Sequence, residues 1–399
     1  MASPVLVSHD TVLAPADTPA AADTLMAAAA LARADAARAD ARGWLDPATV
    51  EALTRSGLPA HFVPALWGGA ESTFTGLLDA VALLAEHCPS AAWCAALWAA
   101  HGRFCAYLPE EGQREIWQHS PRTRIAAAIA PPCGGARRRA DGWTVTGTWR
   151  PVSAVTHAQW VLLAAPEEST AGTPVRVFAV PADRITVEES WNAVGLRATA
   201  GHTVHAHDVH VPEHLTFPLG ELLAGAAAPG RSRSHAVPAQ LAGGLMFAAT
   251  AQGAARRAVR LWTDWAATPS PGTGRARTAS PAVATTLATA SARVDAAGLL
   301  LERAARRADT DPVSDVLVAT NQRDAAVAAQ MLADVAAELM RGGSHVLDAN
   351  GELHRMCRDV HTVAAHAVLR VETAATAFSA AMESGREWGR GLEGGRRPA

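Results

Sequence analysis

The chain contains no lysine: all 35 of its basic residues are arginine. That absence removes the Schiff-base lysine of pyridoxal-phosphate enzymes and the Gly-Lys-[Ser/Thr] of P-loop nucleotidases. Charge is scarce as well. Charged residues are 18% of 399 and the formal net charge is -3, so no bulk field draws in a polyanion, and nucleic acid is not expected as a partner. Five cysteines, Cys88, Cys94, Cys105, Cys133 and Cys357, are odd in number and form no Cys-x-x-Cys pair. They support neither a disulfide framework nor a zinc site, and they fit a reducing cytoplasm. No run approaches the roughly 20 apolar residues of a membrane span. The apolar start is diluted by Asp10, Asp17 and Asp23 with no positive segment before it, which does not read as a signal peptide. A cytoplasmic protein with no membrane partner is expected.

Apolar material is abundant. Hydrophobic residues make up 49% of the chain, enough for a large core. The length exceeds the roughly 250–300 residues at which one core stops growing, so two or three packed units are expected. Residues 20–125 have a helical grammar, with alanine-rich stretches, a helix opened by Pro47, another started at Thr73, and a third over 91–108 carrying Trp93, Leu97, Trp98 and His101. Residues 126–225 alternate at period two, as in Trp143-Thr144-Val145-Thr146 and Thr203–Val211, with too little helix between for parallel crossovers. A small antiparallel β domain is expected there. Residues 235–385 return to long helical segments at 236–266, 281–308, 312–341 and 353–385, a four-helix bundle. The fold class is α+β.

That order, with several motifs, resembles the acyl-CoA dehydrogenase fold. Trp191-Asn192-Ala193-Val194-Gly195-Leu196-Arg197-Ala198-Thr199 is similar to the family's Trp-x-x-x-Gly-[Leu/Met]-Arg-x-Thr, and Asp208-Val209-His210-Val211-Pro212 to its Asp-Val-x-Val-Pro. Arg358-Asp359 after Gly342-Gly343-Ser344 is a further match. Gly147-Thr148-Trp149-Arg150-Pro151-Val152-Ser153-Ala154 with His157-Ala158-Gln159-Trp160 resembles the flavin-dependent monooxygenase branch, although Arg150 replaces an apolar residue and Ala154 a glycine. The dehydrogenases carry a glutamate base eight or nine residues beyond the Arg-Asp pair. Here those positions are His366 and Ala367. The segment before Gly243-Gly244, where another subgroup keeps its base, also lacks a carboxylate.

The resemblance implies site roles. Ser153 falls where a hydroxyl contacts flavin N5. His366 and His101 fall in segments that approach the flavin ring, where an imidazole would accept a substrate proton or donate a hydrogen bond; Trp98 would line the substrate pocket. Trp149, Arg197, Thr199, Gly342 and Gly343 are candidate cofactor contacts through stacking, an arginine fork, or glycine backbone. Each also has a structural reading, as core histidine, loop arginine or helix stop. His361 reads as structural, and the cluster His202, His205, His207 and His210 as an exposed strand with no metal.

The implied function is a two-component flavin-dependent monooxygenase. It would take reduced FMN or FAD from a separate flavin reductase and hydroxylate a small aromatic or amine-bearing substrate with O₂, within secondary metabolism. The resembling fold packs its carboxy-terminal bundles together, and with alanine-rich helices at 281–385 that resemblance implies a homotetramer. The alternatives are an acyl-CoA dehydrogenase or oxidase with a displaced base, and a non-catalytic protein of the same fold.

Overall fold

The computed structural model describes residues 19–168, 174–225, 231–270, 274–342 and 346–394. The first block is helical: α1 (Pro19–Arg42), α2 (Pro47–Arg55), α3 (Phe74–Ala85), α4 (Pro89–Cys105) and α5 (Glu110–Trp117). Local chemistry sets the starts. Asp46 accepts the Ala48 N–H at 2.9 Å while Pro47 occupies a first-turn position that needs no donor. Thr73 accepts from Gly76 at 3.0 Å and opens α3. Helix α4 is buried along nearly its whole length, which makes it the hub of the molecule.

Eight strands follow: β1 (Ile125–Ala128), β2 (Gly135–Arg139), β3 (Gly142–Val152), β4 (Trp160–Pro166), β5 (Val175–Pro181), β6 (Thr186–Glu188), β7 (His202–Pro212) and β8 (Thr216–Pro218). They form two sheets, ordered β1-β4-β5-β8 and β2-β3-β7-β6. All pairings but one are antiparallel. Strands β1 and β4 run parallel, with Ile125 opposite Trp160. This departs from the wholly antiparallel expectation, because the connection between them passes through β2 and β3 of the other sheet and needs no crossover helix.

After α6 (Leu219–Ala224) and α7 (Arg233–Ala236), the chain forms α8 (Ala239–Ala267), α9 (Pro281–Thr310), α10 (Asp315–Met340), α11 (Glu352–Ala364) and α12 (Val371–Gly394). The segment expected as one helix over 353–385 is therefore two. His366 leaves the helical conformation (φ -64°, ψ 137°) and its side chain caps the short turn Ala367–Leu369. Alanine-rich sequence favours helix throughout this stretch, so the break is a tertiary effect. His366 stacks on Phe247 of α8, ring centroids 4.1 Å apart.

Two cores result. One joins α1–α4 to the bundle, and the other fills the space between the sheets. Small residues let α3 and α8 approach closely: a Cβ on Gly253 would lie 2.0 Å from the Ala82 carbonyl oxygen. Among the described residues no helix is long and apolar enough to cross a membrane.

Candidate active site

The β unit meets α4 and the bundle through a turn that starts where β3 ends. Ser153 is half-buried, and its hydroxyl makes no hydrogen bond among the described residues. Ala154 is fully buried in a left-handed conformation (φ 61°), which explains why the resembling motif has glycine there. Its N–H donates to the Thr199 carbonyl at 2.8 Å, joining the turn to the Leu196–Ala200 loop. That loop is fixed to α11: the Leu196 N–H donates to Asp359 Oδ1 at 2.6 Å, and Arg358 donates to the Val194 carbonyl and to Asp40. Burial raises the Asp359 carboxyl to about 7, against the opposing hydrogen bond from Leu196. The Arg358-Asp359 motif is thus a latch between the β unit and the bundle.

Beyond Ala154 the residues Val155–His157 form a single 3₁₀ turn. Arg124, just before β1, donates to the His157 carbonyl at 2.6 Å and to Thr54 Oγ1 at 3.1 Å, with its guanidinium 5.9 Å from the Trp98 ring. Two polar atoms at this seam are buried and unpartnered: His157 Nε2 and Trp98 Nε1. Burial, helped by the Arg124 charge, lowers His157 to about 4. It is neutral at physiological pH.

The two candidate histidines stand in separate settings on the α4 hub. His101 is buried and its Nδ1 is 2.8 Å from the Ile125 carbonyl oxygen, so Nδ1–H donates and Nε2 keeps its lone pair. His366 has the opposite arrangement. Its Nδ1 accepts the Val368 N–H at 3.4 Å, so the neutral ring carries its proton on Nε2 and presents a donor. Burial lowers both to about 4. His366 is boxed by Trp93 of α4 and Phe247, with centroids 5.6 Å and 4.1 Å away. Trp93 and His101 are eight residues apart on α4, about 12 Å, and no contact joins His101 to His366.

The remaining candidates divide. Thr199 is buried, its hydroxyl donates to the Leu196 carbonyl, and its carbonyl holds Ala154. Trp149 is fully buried in the β core with its indole N–H donating to the Ala164 carbonyl at 2.9 Å, so it faces no open site. Arg197 donates to the carbonyls of Asp40 and Ala193 rather than pointing free. Gly342 follows α10, where a Cβ would meet Trp262 Nε1 at 2.8 Å, and Gly343 lies outside the described residues. Arg150 is exposed. His205 bonds Thr148 and Glu188 and stacks with His207, and among the described residues no group of three metal-ligating side chains converges. Sequence reasoning missed Arg124, which has no motif signal, and Phe247, which reads as ordinary core, while Trp93 reads equally as core or pocket wall.

Residues 245–371 match the family model described as the acyl-CoA dehydrogenase C-terminal domain. The chain is 31% identical to the oxygenase subunit HsaA of a flavin-dependent monooxygenase from Rhodococcus jostii (strain RHA1), over 47% of this chain and about half, 49%, of that relative. It is 30% identical to the oxygenase component of an FADH₂-dependent resorcinol hydroxylase from Rhizobium sp. (strain MTP-10005), over 80% of this chain and 83% of the relative. Among solved structures, XiaF from Streptomyces sp. in complex with FADH₂ and glycerol superposes with a TM-score of 0.86 and 25% identity, covering 92% of this chain and 95% of that one.

Proposed function

The chain belongs to the flavin-dependent oxygenase components built on the acyl-CoA dehydrogenase fold, and from that premise we propose that it hydroxylates a small aromatic or amine-bearing substrate. Reduced FMN or FAD would come from a separate flavin reductase. When bound, reduced flavin supplies the electrons that activate O₂ for insertion into the substrate.

The seam fits such a group. A flavin ring offers several hydrogen-bonding edges on a flat apolar face, and the free Ser153 hydroxyl, the unpartnered His157 Nε2 and the unpartnered Trp98 N–H are the matching polar atoms. Ser153 would hold the cofactor's N5 edge. His101, with an open Nε2 lone pair, is the residue suited to take a proton from a phenol or amine. His366 donates from Nε2–H and orients oxygen or substrate, rather than serving as the base. Trp93, Phe247 and Trp98 exclude water.

The observation that carries the reading is the α11–α12 break. It presents a neutral histidine between two aromatic rings at the place where a dehydrogenase would need a carboxylate. Asp359, a buried carboxyl with a raised pKa, is closed off by Leu196 and does not replace it. A cytoplasmic homotetramer acting in secondary metabolism completes the proposal. Reconstitution with a free flavin reductase, NADH and a panel of phenols, indoles and anilines tests it. Hydroxylated product is expected, whereas flavin reduction by an acyl-CoA with no hydroxylation would favour the dehydrogenase. Light scattering that gives a monomer would remove the tetramer.

A further inference from the structure

Three non-glycine residues with a left-handed backbone meet at the seam. Ala154 (φ 61°) lies in the turn after β3, Leu196 (φ 50°) and Ala200 (φ 47°) in the loop before β7, and the Ala154 N–H donates to the carbonyl of Thr199 between the other two. Such backbone is strained for any residue with a Cβ and persists only where neighbouring contacts hold it. On the bundle side the hold is the Asp359 latch. On the β side it is His202, the first residue of β7. Its Nδ1 accepts two backbone N–H groups, from Ser190 and from Trp191, each at 3.2 Å. Trp191 passes the hold on: its indole N–H donates to the Leu196 carbonyl at 3.1 Å, and its ring lies against Gly201, where a Cβ would sit 3.0 Å from Cε3. The His202 N–H donates to the Ala200 carbonyl at 2.8 Å. One residue therefore grips both ends of the segment 190–201.

Two donors on one nitrogen require its lone pair, so the His202 ring is neutral with its proton on Nε2. Burial holds its pKa below the usual imidazole value, against the opposing charge of Glu189. The other charges around it are spent or turned away. On β6, Glu188 bonds His205 at 2.9 Å. The end of β3 that pairs with this part of β7, Thr148–Val152, carries one charge, Arg150, which is exposed. In the loop, Arg197 donates to the Asp40 and Ala193 carbonyls. A protonated ring has N–H on both nitrogens, so Nδ1 would face two donors and the grip would be lost.

We propose that His202 is a positioning residue: neutral, it holds the 190–201 loop in the strained form that seats the Ser153 turn, and protonated, it releases both. The consequence for the cofactor rests on the flavin reading, whereas the clamp itself does not.

Hydrogen-exchange mass spectrometry of the flavin-free protein at pH 7.5 and 5.0, with the intrinsic pH dependence of exchange divided out, tests the clamp. Protection of the Ser190 and Trp191 amides should fall by about tenfold or more at pH 5.0 in the wild type. His202→Asn places an acceptor oxygen where Nδ1 stands and does not titrate, so its protection should be the same at both pH values. His202→Leu has no acceptor and should lack protection at both. Circular dichroism melts report folding, and if His202→Leu fails to fold, the wild type and His202→Asn decide. Anaerobic titration with reduced flavin should show affinity falling at pH 5.0 in the wild type and holding in His202→Asn. Wild-type protection that is equal at both pH values, or that falls as far in His202→Asn, would overturn the clamp. Flavin affinity that falls alike in both proteins would overturn the positioning role. If reduced flavin binds at neither pH, the flavin reading fails and exchange alone decides the clamp.

Discussion

At the scale of single residues the reading turns on which nitrogen of each histidine holds a proton. His366→Ala removes the donor between Trp93 and Phe247, so hydroxylated product should fall by about 100-fold or more while O₂ consumption continues as hydrogen peroxide. His361→Ala should keep its product yield. Product and peroxide assays on folded variants separate the two. If Ser153 holds the cofactor edge as proposed, Ser153→Ala deletes one hydrogen bond, about 1 kcal/mol, and should raise peroxide release by up to about tenfold. Ala154 holds a left-handed conformation inside the core. Ala154→Val should cost about 2 kcal/mol in urea unfolding, while Ala154→Gly should stay within about 1 kcal/mol, because relief of strain offsets the lost methyl. The sequence offers Ser153, His101 and His366 as candidates, and the proposed function keeps all three. The tautomers of the two histidines were not legible there, because Ile125 and the Val368 amide set them through folded geometry.

Among the elements, the α11 latch and the α11–α12 break position the chemistry. Asp359 has a folded pKa of about 7 against about 3.9 in an unfolded chain, so the native state binds an extra proton between those values. Its contribution is full below about pH 4 and is lost as pH rises to 7. Asp359→Asn keeps an acceptor for Leu196 without a buried charge, so its stability relative to wild type should rise across that interval. Urea midpoints at pH 4.5 and 7.5 check it; a flat difference would contradict the latch. Helix starts at Pro47 and Thr73 were legible because a cap is a matter of three or four adjacent residues. The break at His366 and the parallel β1–β4 pair were not, because each depends on partners far along the chain.

For the whole molecule, the order of helical block, β unit and bundle could be read from periodicity, and the sharing of one core between the first and last blocks could not. Acid should destabilise the assembled chain. His101, His157 and His366 are each lowered to about 4 by burial, so their contribution is full above an unfolded pKa of ~6.5 and is lost as pH falls towards 4. Burial also lowers His87, His202, His235 and His361, and against these seven imidazoles stand, among the described residues, two carboxyls raised by burial, Asp79 and Asp359, so thermal midpoints should decline between pH 6.5 and 4. The measurement that tests the central claim most directly is a single turnover without any reductase. Protein is mixed anaerobically with reduced flavin and whichever phenol, indole or aniline of the panel gives product, then exposed to ¹⁸O₂. One ¹⁸O atom is expected in each hydroxylated product molecule, with the yield lost in His366→Ala. Unlabelled product, or quantitative peroxide with unchanged substrate in the wild type, would contradict it.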